Sequence, residues 1–392
     1  MEDNFEEIIT PPVAPLGIIA MRGCEAISKK ISDYIVAWRK DRTSHDVNSL
    51  FFTSYQREDY LINHSCPRFG SGEGKGCIKD TIRGYDLYII CDPFNYGVTY
   101  QMYDMTVPMS PDDHYQDLKR IIAATCGKAR RITVIMPMLY EGRQHRRASR
   151  ESLDCALALQ ELTQMGVDNI ITFDAHDPRV QNANPLKGFE NVQPVYQMIK
   201  ALAKNVDNLQ FDPKHMMIIS PDEGAMSRCI YFSSVLGLDL GMFYKRRDYS
   251  TIVNGRNPIV AHEFLGDSVE GKDLIIVDDM ISSGDSMLEI AYKLKAMKAK
   301  RIFACTTFGL FSDGLDKFDK AYQEGFLNRV FTTNGVYRRP ELLERPWYVE
   351  VDISKYLAYF IDNLNHDSSI SKLLSPSERI HNFLHRMGYS NF

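Results

Sequence analysis

The sequence predicts an α/β protein with two doubly wound parallel-sheet domains. Short apolar runs, typical of strands buried on both faces, alternate with stretches in which apolar residues recur at helical spacing. Such alternation is typical of parallel sheets wound in βαβ units. With 392 residues the chain is long enough for two cores, and the pattern forms two blocks that separate near residues 185–188.

The first block begins after an irregular, proline-containing lead-in at 1–15. A helix is predicted over 24–38, where apolar residues share one face, and another over 150–165, ended by Gly166. The segment 93–113 is an insert rich in aromatic residues and methionine, for which a lid and a subunit contact both stay open. The predicted strands of this block are 17–20, 87–91, 131–137 and 169–173.

The second block repeats the alternation and ends in a predicted helix from Ile353. Its predicted strands are 216–219, 241–244, 274–277, 301–306, one near Val330, and 347–351. Its other predicted helices are 195–203, 224–236, one from Met287, and 315–323. The tail has the pattern of an amphipathic helix that packs on the body. The chain is therefore divided into domains at 16–187 and 188–352 and a C-terminal helical segment and tail at 353–392.

Composition narrows the class of protein. The net charge of -5 gives no electrostatic reason to expect a nucleic-acid partner. No apolar run approaches the ~20 residues that span a bilayer, and the first residues are acidic where a signal peptide would be basic. The eight cysteines are scattered singly, which argues against a disulfide framework or zinc site. We therefore expect a cytoplasmic protein without a membrane partner.

The stretch 272–287 carries the strongest chemical signal. The predicted strand 274–277 runs into two carboxylates, Asp278 and Asp279, and a serine- and glycine-containing turn then leads into a helix. Loop amides and the positive end of a helix dipole bind phosphate, and paired carboxylates accept hydrogen bonds from vicinal ribose hydroxyls. The pattern indicates a sugar-phosphate site, although a solvated strand end followed by an ordinary turn is the alternative.

This stretch resembles the 5-phosphoribosyl-1-diphosphate (PRPP) motif of type I phosphoribosyltransferases and ribose-phosphate pyrophosphokinases. Four more polar stretches follow predicted strands, where ligands bind in open α/β sheets: 143–147, 173–176, 220–225 and 244–248. With them the chain resembles the ribose-phosphate pyrophosphokinases from about residue 16 to 360. The resemblance implies domains of phosphoribosyltransferase-like type, the first of them binding ATP.

The resemblance also assigns residues. It implies ATP-binding roles for Phe69, Ser71, Glu73, Arg143, Gln144 and His176. It implies ribose 5-phosphate-binding roles for Asp222, Asp278, Asp279, Ser282, Ser283, Gly284, Asp285 and Ser286. His176 and Asp222 would bind Mg²⁺, and Lys245 and Arg247 would be catalytic. Taken alone, a basic cluster is more often a solvated face, and a lone histidine is more often structural.

Some positions depart from the family pattern. Ser71 replaces an asparagine, Ser227 a lysine and Phe308 a histidine. Asp285 stands where the phosphate loop has glycine, which brings a carboxylate near a bound dianion, so we expect its side chain to point away. Phosphate activation and nucleotide feedback therefore do not follow from the resemblance.

The resemblance implies a Mg²⁺-dependent enzyme that transfers the diphosphoryl group of ATP to ribose 5-phosphate, giving PRPP and AMP. A homo-oligomer, dimer or hexamer, is expected because the family shares its adenine site between subunits. Two alternatives stay open: a phosphoribosyltransferase that consumes PRPP, and a non-catalytic regulatory subunit related to the PRPP synthetases.

Overall fold

The computed structural model of the protein describes Ile8 and residues 10–45, 54–247 and 259–389. The chain divides into two units. The first unit contains residues up to Gln193 together with Asn334–Tyr337 and Asp352–Ser375. The second contains Pro194–Thr333, Arg338–Val351 and Pro376–Phe392. Each unit has a parallel sheet and helices of its own, so the predicted α/β class is confirmed.

The first unit is built on a five-stranded parallel sheet. Its strands up to Gln193 are β1 (Leu16–Ala20), β2 (His64–Ser65), β3 (Cys77–Ile78), β4 (Asp86–Ile90), β5 (Thr99–Met102), β6 (Met105–Pro108), β7 (Arg131–Ile135), β8 (Asn169–Phe173) and β9 (Gly188–Val192). Its α-helices in this part are α1 (Glu25–His45), α2 (Pro111–Ala124) and α3 (Asp154–Gln164), and a 3₁₀-helix spans Pro178–Ala183. The sheet order is β1-β4-β7-β8-β9, and every residue of β1 and β4 is buried. Runs of apolar residues form these strands because both faces of the sheet are covered.

The predicted insert at 93–113 contains a hairpin. Strands β5 and β6 pair antiparallel around a turn at Tyr103 and Asp104, both of which have positive φ. Helix α2 follows at once and is capped by Ser110, whose hydroxyl accepts from the Asp113 amide while the Asp113 carboxylate accepts from the Ser110 amide. The insert is therefore an ordered hairpin and a helix start.

The second unit has a seven-stranded sheet that is parallel except at one edge. Its strands are β10 (Met216–Ser220), β11 (Asp239–Arg247), β12 (Ile259–Leu265), β13 (Asp273–Ile281), β14 (Arg301–Gly309), β15 (Arg329–Thr333) and β16 (Tyr348–Val351). Its helices up to that point are α4 (Val195–Asn205), α5 (Met226–Leu236), α6 (Asp285–Ala296), α7 (Asp316–Gln323) and α8 (Pro340–Leu343). The order is β12-β11-β10-β13-β14-β15-β16, with only β11 and β12 antiparallel among these described strands.

The C-terminal segment is divided between the units. Helices α9 (Ser354–Asn365) and α10 (Ser371–Leu374) belong to the first unit, whereas α11 (Ser377–Arg386) belongs to the second. In the first unit, buried Arg39 of α1 donates to Asp362 of α9 at 3.0 Å. In the second, Ile380 of α11 is fully buried in the core beside α4 and α5. The described part of the segment 353–392, which the sequence analysis set apart, thus contributes to both cores.

Within the described ranges, no helix combines the length and the apolar character needed to cross a membrane.

Candidate functional site

Two of the predicted segments lie where the strand order of the second sheet reverses. From β10 the chain continues to β11 on one side, and it later returns as β13 on the other side of β10. Ligands of open α/β sheets bind outside the carboxyl ends of the strands at such a switch point. The residues after β10 and after β13 therefore share one edge of the sheet. Both segments that the resemblance assigns to ribose 5-phosphate are at this edge.

The acidic pair lies inside a strand rather than at its end. The predicted strand stopped at Val277, but β13 continues through Ile281 because β14 pairs alongside it, with Asp278 opposite Thr306 and Ile281 opposite Gly309. Asp279 is only 3% exposed. Asp278 beside it is half-buried, and both carboxylates are acceptors for hydroxyl groups.

The electrostatics of the pair depend on its neighbours. Burial, and then the charge of Asp279, raise the pKa of the Asp278 carboxyl well above its ordinary value, while Arg228 of α5 opposes the shift. Arg228 donates to Asp278 Oδ1 at 3.4 Å and is itself nearly buried. Sequence reasoning noted the missing family lysine at Ser227 and missed the arginine beside it. The signal that could have indicated this residue was a basic side chain directly after Ser227 in the sequence.

The turn after β13 has a conformation that requires glycine. Gly284 has φ +87°, and a Cβ at this position would lie 2.3 Å from Cε2 of Phe318 on α7. The main chain around it is tied to the following loop, because Ser312 N donates to Ser282 O at 2.9 Å. Ser283 Oγ accepts from the amide of Asp285, with which α6 begins. The turn therefore presents the first amides of a twelve-residue helix, a favourable place for an anion.

The side chains around this turn differ in exposure. Ser282 and Ser283 are half-buried, whereas Asp285 and Ser286 are exposed. The carboxylate of Asp285 accepts from Lys317 Nζ at 2.7 Å, and this hydrogen bond lowers the pKa of the Asp285 carboxyl. The aspartate that departs from the family pattern therefore has a cationic partner.

Asp222 closes the turn between β10 and α5. Its Oδ1 accepts from the amides of Gly224 at 2.9 Å and Ala225 at 3.2 Å. Ser220 Oγ donates to the Asp222 carbonyl oxygen at 2.8 Å. These bonds fix the carboxylate at the same sheet edge as the acidic pair. Among the described residues, no group of three or more histidine, cysteine, aspartate or glutamate side chains is arranged to hold a metal ion.

The two residues predicted to be catalytic lie at the end of β11. Their backbones pair with β12, Lys245 opposite His262 and Arg247 opposite Ile259, with an irregularity between 246 and 247. The side chains of Lys245 and Arg247, and residues 248–258, are outside the part of the chain that the structure describes. Their catalytic role stays a prediction.

In the first unit, the turns that follow β7 and β8 contact each other. His145 Nε2 lies 3.4 Å from Asp177 Oδ2, and the His145 ring centroid lies 5.3 Å from that of His176. Arg143 and Gln144, just before His145, are exposed, as is His176. The fold therefore brings the segments of all three residues to one edge of the first sheet.

Sequence reasoning singled out neither His145 nor Asp177 as a site residue. Asp177 also accepts from Arg179, and this bond lowers the pKa of the Asp177 carboxyl to about 2. The carboxylate is therefore charged when it faces His145. The signal available in the sequence was a histidine within the arginine cluster and an aspartate directly after His176.

The Phe69 loop of the first unit is a tight turn beside the hairpin. Phe69 N donates to Glu73 O at 2.8 Å, and Ser71 Oγ donates to Glu73 Oε2 at 2.9 Å. Tyr103 N, from the turn between β5 and β6, donates to Gly70 O at 2.9 Å. Phe69 is 59% exposed. The hairpin thus supports a loop that presents an aromatic ring to its surroundings.

Comparisons with known proteins agree with this architecture. Residues 16–166 match the family model for the N-terminal domain of ribose phosphate pyrophosphokinase, and residues 186–333 match that for the phosphoribosyl transferase domain. The Vibrio cholerae ribose-phosphate pyrophosphokinase is 28% identical over 314 residues, covering 79% of this chain and 90% of the relative. The Shewanella oneidensis ribose-phosphate pyrophosphokinase is 29% identical over 321 residues, covering 79% and 89%.

A solved structure shares the fold. The phosphoribosylpyrophosphate synthetase of Mycobacterium smegmatis superposes with a TM-score of 0.70 at 19% identity, covering 90% of this chain and 100% of that one. The two family models lie in the same order and in the same halves as the two sheets described above. The chain belongs to the ribose-phosphate pyrophosphokinase family.

Proposed function

We propose that the protein is a magnesium-dependent ribose-phosphate pyrophosphokinase that uses ATP and ribose 5-phosphate. One observation carries the proposal: an acidic pair and a glycine-requiring turn lie together at the switch point of the second sheet. The family membership selects the reaction. The oxygen on C1 of ribose 5-phosphate bonds to the β-phosphorus of ATP, the bond from that phosphorus to the α–β bridging oxygen breaks, and the hydroxyl proton is released. PRPP and AMP result.

On this proposal the second unit holds the sugar phosphate. Asp278 and Asp279 accept hydrogen bonds from the ribose hydroxyls, and Asp222 lies at the same edge beside the ribose. The amides and hydroxyls of Ser282, Ser283, Gly284 and Ser286, with the positive end of α6, bind the 5-phosphate. The buried strand and the packed glycine turn fix these groups in advance, so little ordering is needed on binding.

The first unit holds ATP. The side chains of Arg143 and Gln144 donate to the phosphates, and Phe69, Ser71 and Glu73 contact adenine. Because this family shares its adenine site between subunits, we propose a homo-oligomer, a dimer or a hexamer.

Lys245 and Arg247 stabilise the charge that develops on the transferring diphosphoryl group. Positioning and charge neutralisation then supply most of the rate, since no covalent nucleophile is required.

The donor groups fit Mg²⁺ bound mainly by substrate. Magnesium prefers oxygen ligands and keeps several waters, so ATP phosphate oxygens and the Asp222 carboxylate would suit it, and the family resemblance adds His176. The lack of a preformed cluster of three ligating side chains among the described residues agrees with a metal that arrives with ATP. When bound, the ion neutralises the phosphates and makes the β-phosphorus more electrophilic.

We also propose that the protein acts in the cytoplasm. All eight cysteines lie within the described residues, and all are free thiols. Six of them are buried, and burial raises the pKa of Cys66 and Cys155 to about 12, which makes both thiols poor nucleophiles. Free thiols agree with a reducing compartment.

The deciding experiment measures AMP from ATP, ribose 5-phosphate and Mg²⁺, without a nucleobase. We expect stoichiometric AMP and PRPP, both dependent on Mg²⁺. Release of diphosphate from PRPP only when a base is added would instead select a phosphoribosyltransferase. ATP binding without AMP formation would select a non-catalytic subunit. Either of these results contradicts the proposal.

A further inference from the structure

The phosphate turn of this protein contains a carboxylate that would repel its ligand. Asp285 is the first residue of α6, and it lies within the turn proposed to bind a dianionic 5-phosphate. An uncompensated carboxylate about 6 Å from a dianion, even in surroundings as polar as water, weakens binding by about 10-fold. The chain therefore needs a means of keeping this charge away from the ligand.

Lys317 of α7 provides that means. Its ammonium group donates to Asp285 Oδ1 at 2.7 Å and to Asp313 Oδ2 at 3.3 Å. Asp313 lies in the loop between β14 and α7, so the lysine links two carboxylates from consecutive βα connections. The pair raises the pKa of Lys317 and lowers that of Asp285, which keeps both groups charged.

The backbone of Lys317 is fixed next to the turn. Its neighbour Phe318 is fully buried and fills the space that a Cβ at Gly284 would occupy. The loop that leads to α7 is also bonded to the turn, since Leu310 N donates to Ile281 O at 2.8 Å. The first residues of helix α7 therefore pack against the phosphate turn, and the Lys317 side chain contacts Asp285 from there.

We propose that Lys317 is a positioning residue of the phosphate turn, which holds the Asp285 carboxylate against α7 and away from the bound 5-phosphate. The role rests on the proposed sugar-phosphate site and explains how this chain accommodates an aspartate there. Lys317 touches Asp285 and Asp313, and it acts on the ligand through Asp285. The effect of Lys317 therefore depends on the Asp285 carboxylate and not on a direct contact with the phosphate.

The test is a double-mutant cycle with Lys317→Ala and Asp285→Asn. Lys317→Ala alone releases the carboxylate, and we expect the KM for ribose 5-phosphate to rise about 10-fold with kcat nearly unchanged. In the Asp285→Asn background, the same change should raise this KM by about twofold or less, because no carboxylate is left to hold. The rise should shrink at about 0.5 M salt, since both groups are exposed and screened.

Lys320→Ala is the matched control. Lys320 lies on the same helix, is more exposed and pairs with Glu324 at 3.9 Å, away from the turn. We expect no change in KM from it. An equal rise of KM for Lys317→Ala in both backgrounds would mean that the lysine attracts the phosphate directly, and no rise would mean that it has no role; either overturns the proposal.

Calorimetric binding of ribose 5-phosphate separates this inference from the proposed function. If the wild type forms no AMP but binds the sugar phosphate, the same four proteins are compared by their Kd for ribose 5-phosphate. The changes in Kd then test the inference in the same way as the changes in KM. If the wild type binds no ribose 5-phosphate at all, both proposals are wrong.

Discussion

Both units present polar groups at one edge of a sheet, but the two sets of groups differ in how deeply they are buried. In the second unit, part of the predicted site is set into the core: Asp279 is buried within β13, and Gly284 packs on the Phe318 ring. In the first unit, Arg143, Gln144 and His176 are all exposed on turns. The turns are joined there by the polar contact between His145 and Asp177.

The difference indicates how each half would bind its substrate. A carboxylate pair within a strand and a glycine turn packed on Phe318 form a rigid site whose shape exists before the ligand arrives. Exposed arginine and glutamine side chains lose conformational entropy when they bind a phosphate chain, at a cost of about 0.5–1.5 kcal/mol each. We therefore expect substitutions in the second unit to affect ribose 5-phosphate through geometry, and those in the first to affect ATP through positioning.

The largest effect should come from Lys245→Ala. This change removes a cation proposed to stabilise the transferring group, and we expect kcat to fall by about 1,000-fold, with ATP binding nearly intact. Quenched-flow measurement of AMP and calorimetry of ATP test the two parts. Lys298→Ala, an exposed lysine paired with Glu270, is the control. Equal activity of Lys245→Ala and wild type would refute the catalytic role.

The rigid site is tested by Gly284→Ala. The new Cβ would clash with Phe318 at a backbone angle that disfavours alanine, and we expect kcat/KM for ribose 5-phosphate to fall by about 100-fold. Gly314→Ala is the matched control, because φ there is +85° and the space around its Cβ is open. Both variants should lose about 1–2 kcal/mol of stability from the backbone, but only the first should lose substrate binding. Similar kinetics for the two variants would contradict the role of the packed turn.

The cores also differ in their expected response to acid. His366 of the first unit is buried, and burial lowers its pKa from 6.5 to about 4. Unfolded protein therefore binds one more proton between these values, so stability is complete above pH 6.5 and is lost as pH falls toward 4. We expect the free energy of unfolding to be about 2 kcal/mol lower at pH 5 than at pH 8 from this group.

Urea titrations at the two pH values, with and without His366→Gln, measure this contribution. The variant should show a smaller difference between pH 8 and pH 5 than the wild type. An identical pH dependence would show that His366 does not titrate as inferred. His215 of the second unit is exposed, and His215→Gln is the control.

The smallest effect should come from the polar contact in the first unit. His145→Ala removes one of the partners of Asp177 beside His176, and we expect the KM for ATP to rise by about 10-fold while the KM for ribose 5-phosphate is unchanged. Steady-state kinetics with each substrate varied in turn test this split. Asp177→Asn should give a similar change. A rise in both KM values would point to a general loss of structure instead.

Much of the fold could be predicted from the sequence, because its strands are apolar runs. The prediction 169–173 coincides with β8, and the strand at 274–277 was identified within β13. The continuation of β13 could not be predicted, since two adjacent carboxylates interrupt the apolar pattern and only pairing with β14 supports them. Strand β9 was missed for a related reason: only the last residue of Gly188–Val192 is buried.

The candidate site was predictable where a motif is local and was not where contacts join distant segments. Asp278 to Ser286 lie in one continuous stretch, so their chemistry could be inferred together. The contact of His145 with Asp177 joins two turns, and that of Asp285 with Lys317 joins the starts of two helices. Both contacts form only in the completed fold. The turn of the hairpin at Tyr103 and Asp104 uses positive φ without glycine, so the usual sequence signal was absent.

The return of the C-terminal segment to the first unit has a consequence for expressing the two halves separately or fusing them to other proteins. Because Asp362 and Asn365 complete the first core from far along the sequence, expressing residues 16–187 alone would remove both hydrogen-bond partners of the Arg39 guanidinium and the helix α9 that packs on α1. The halves are therefore poor candidates for separate production or for exchange with the halves of another enzyme. Selection would have to preserve them as one piece.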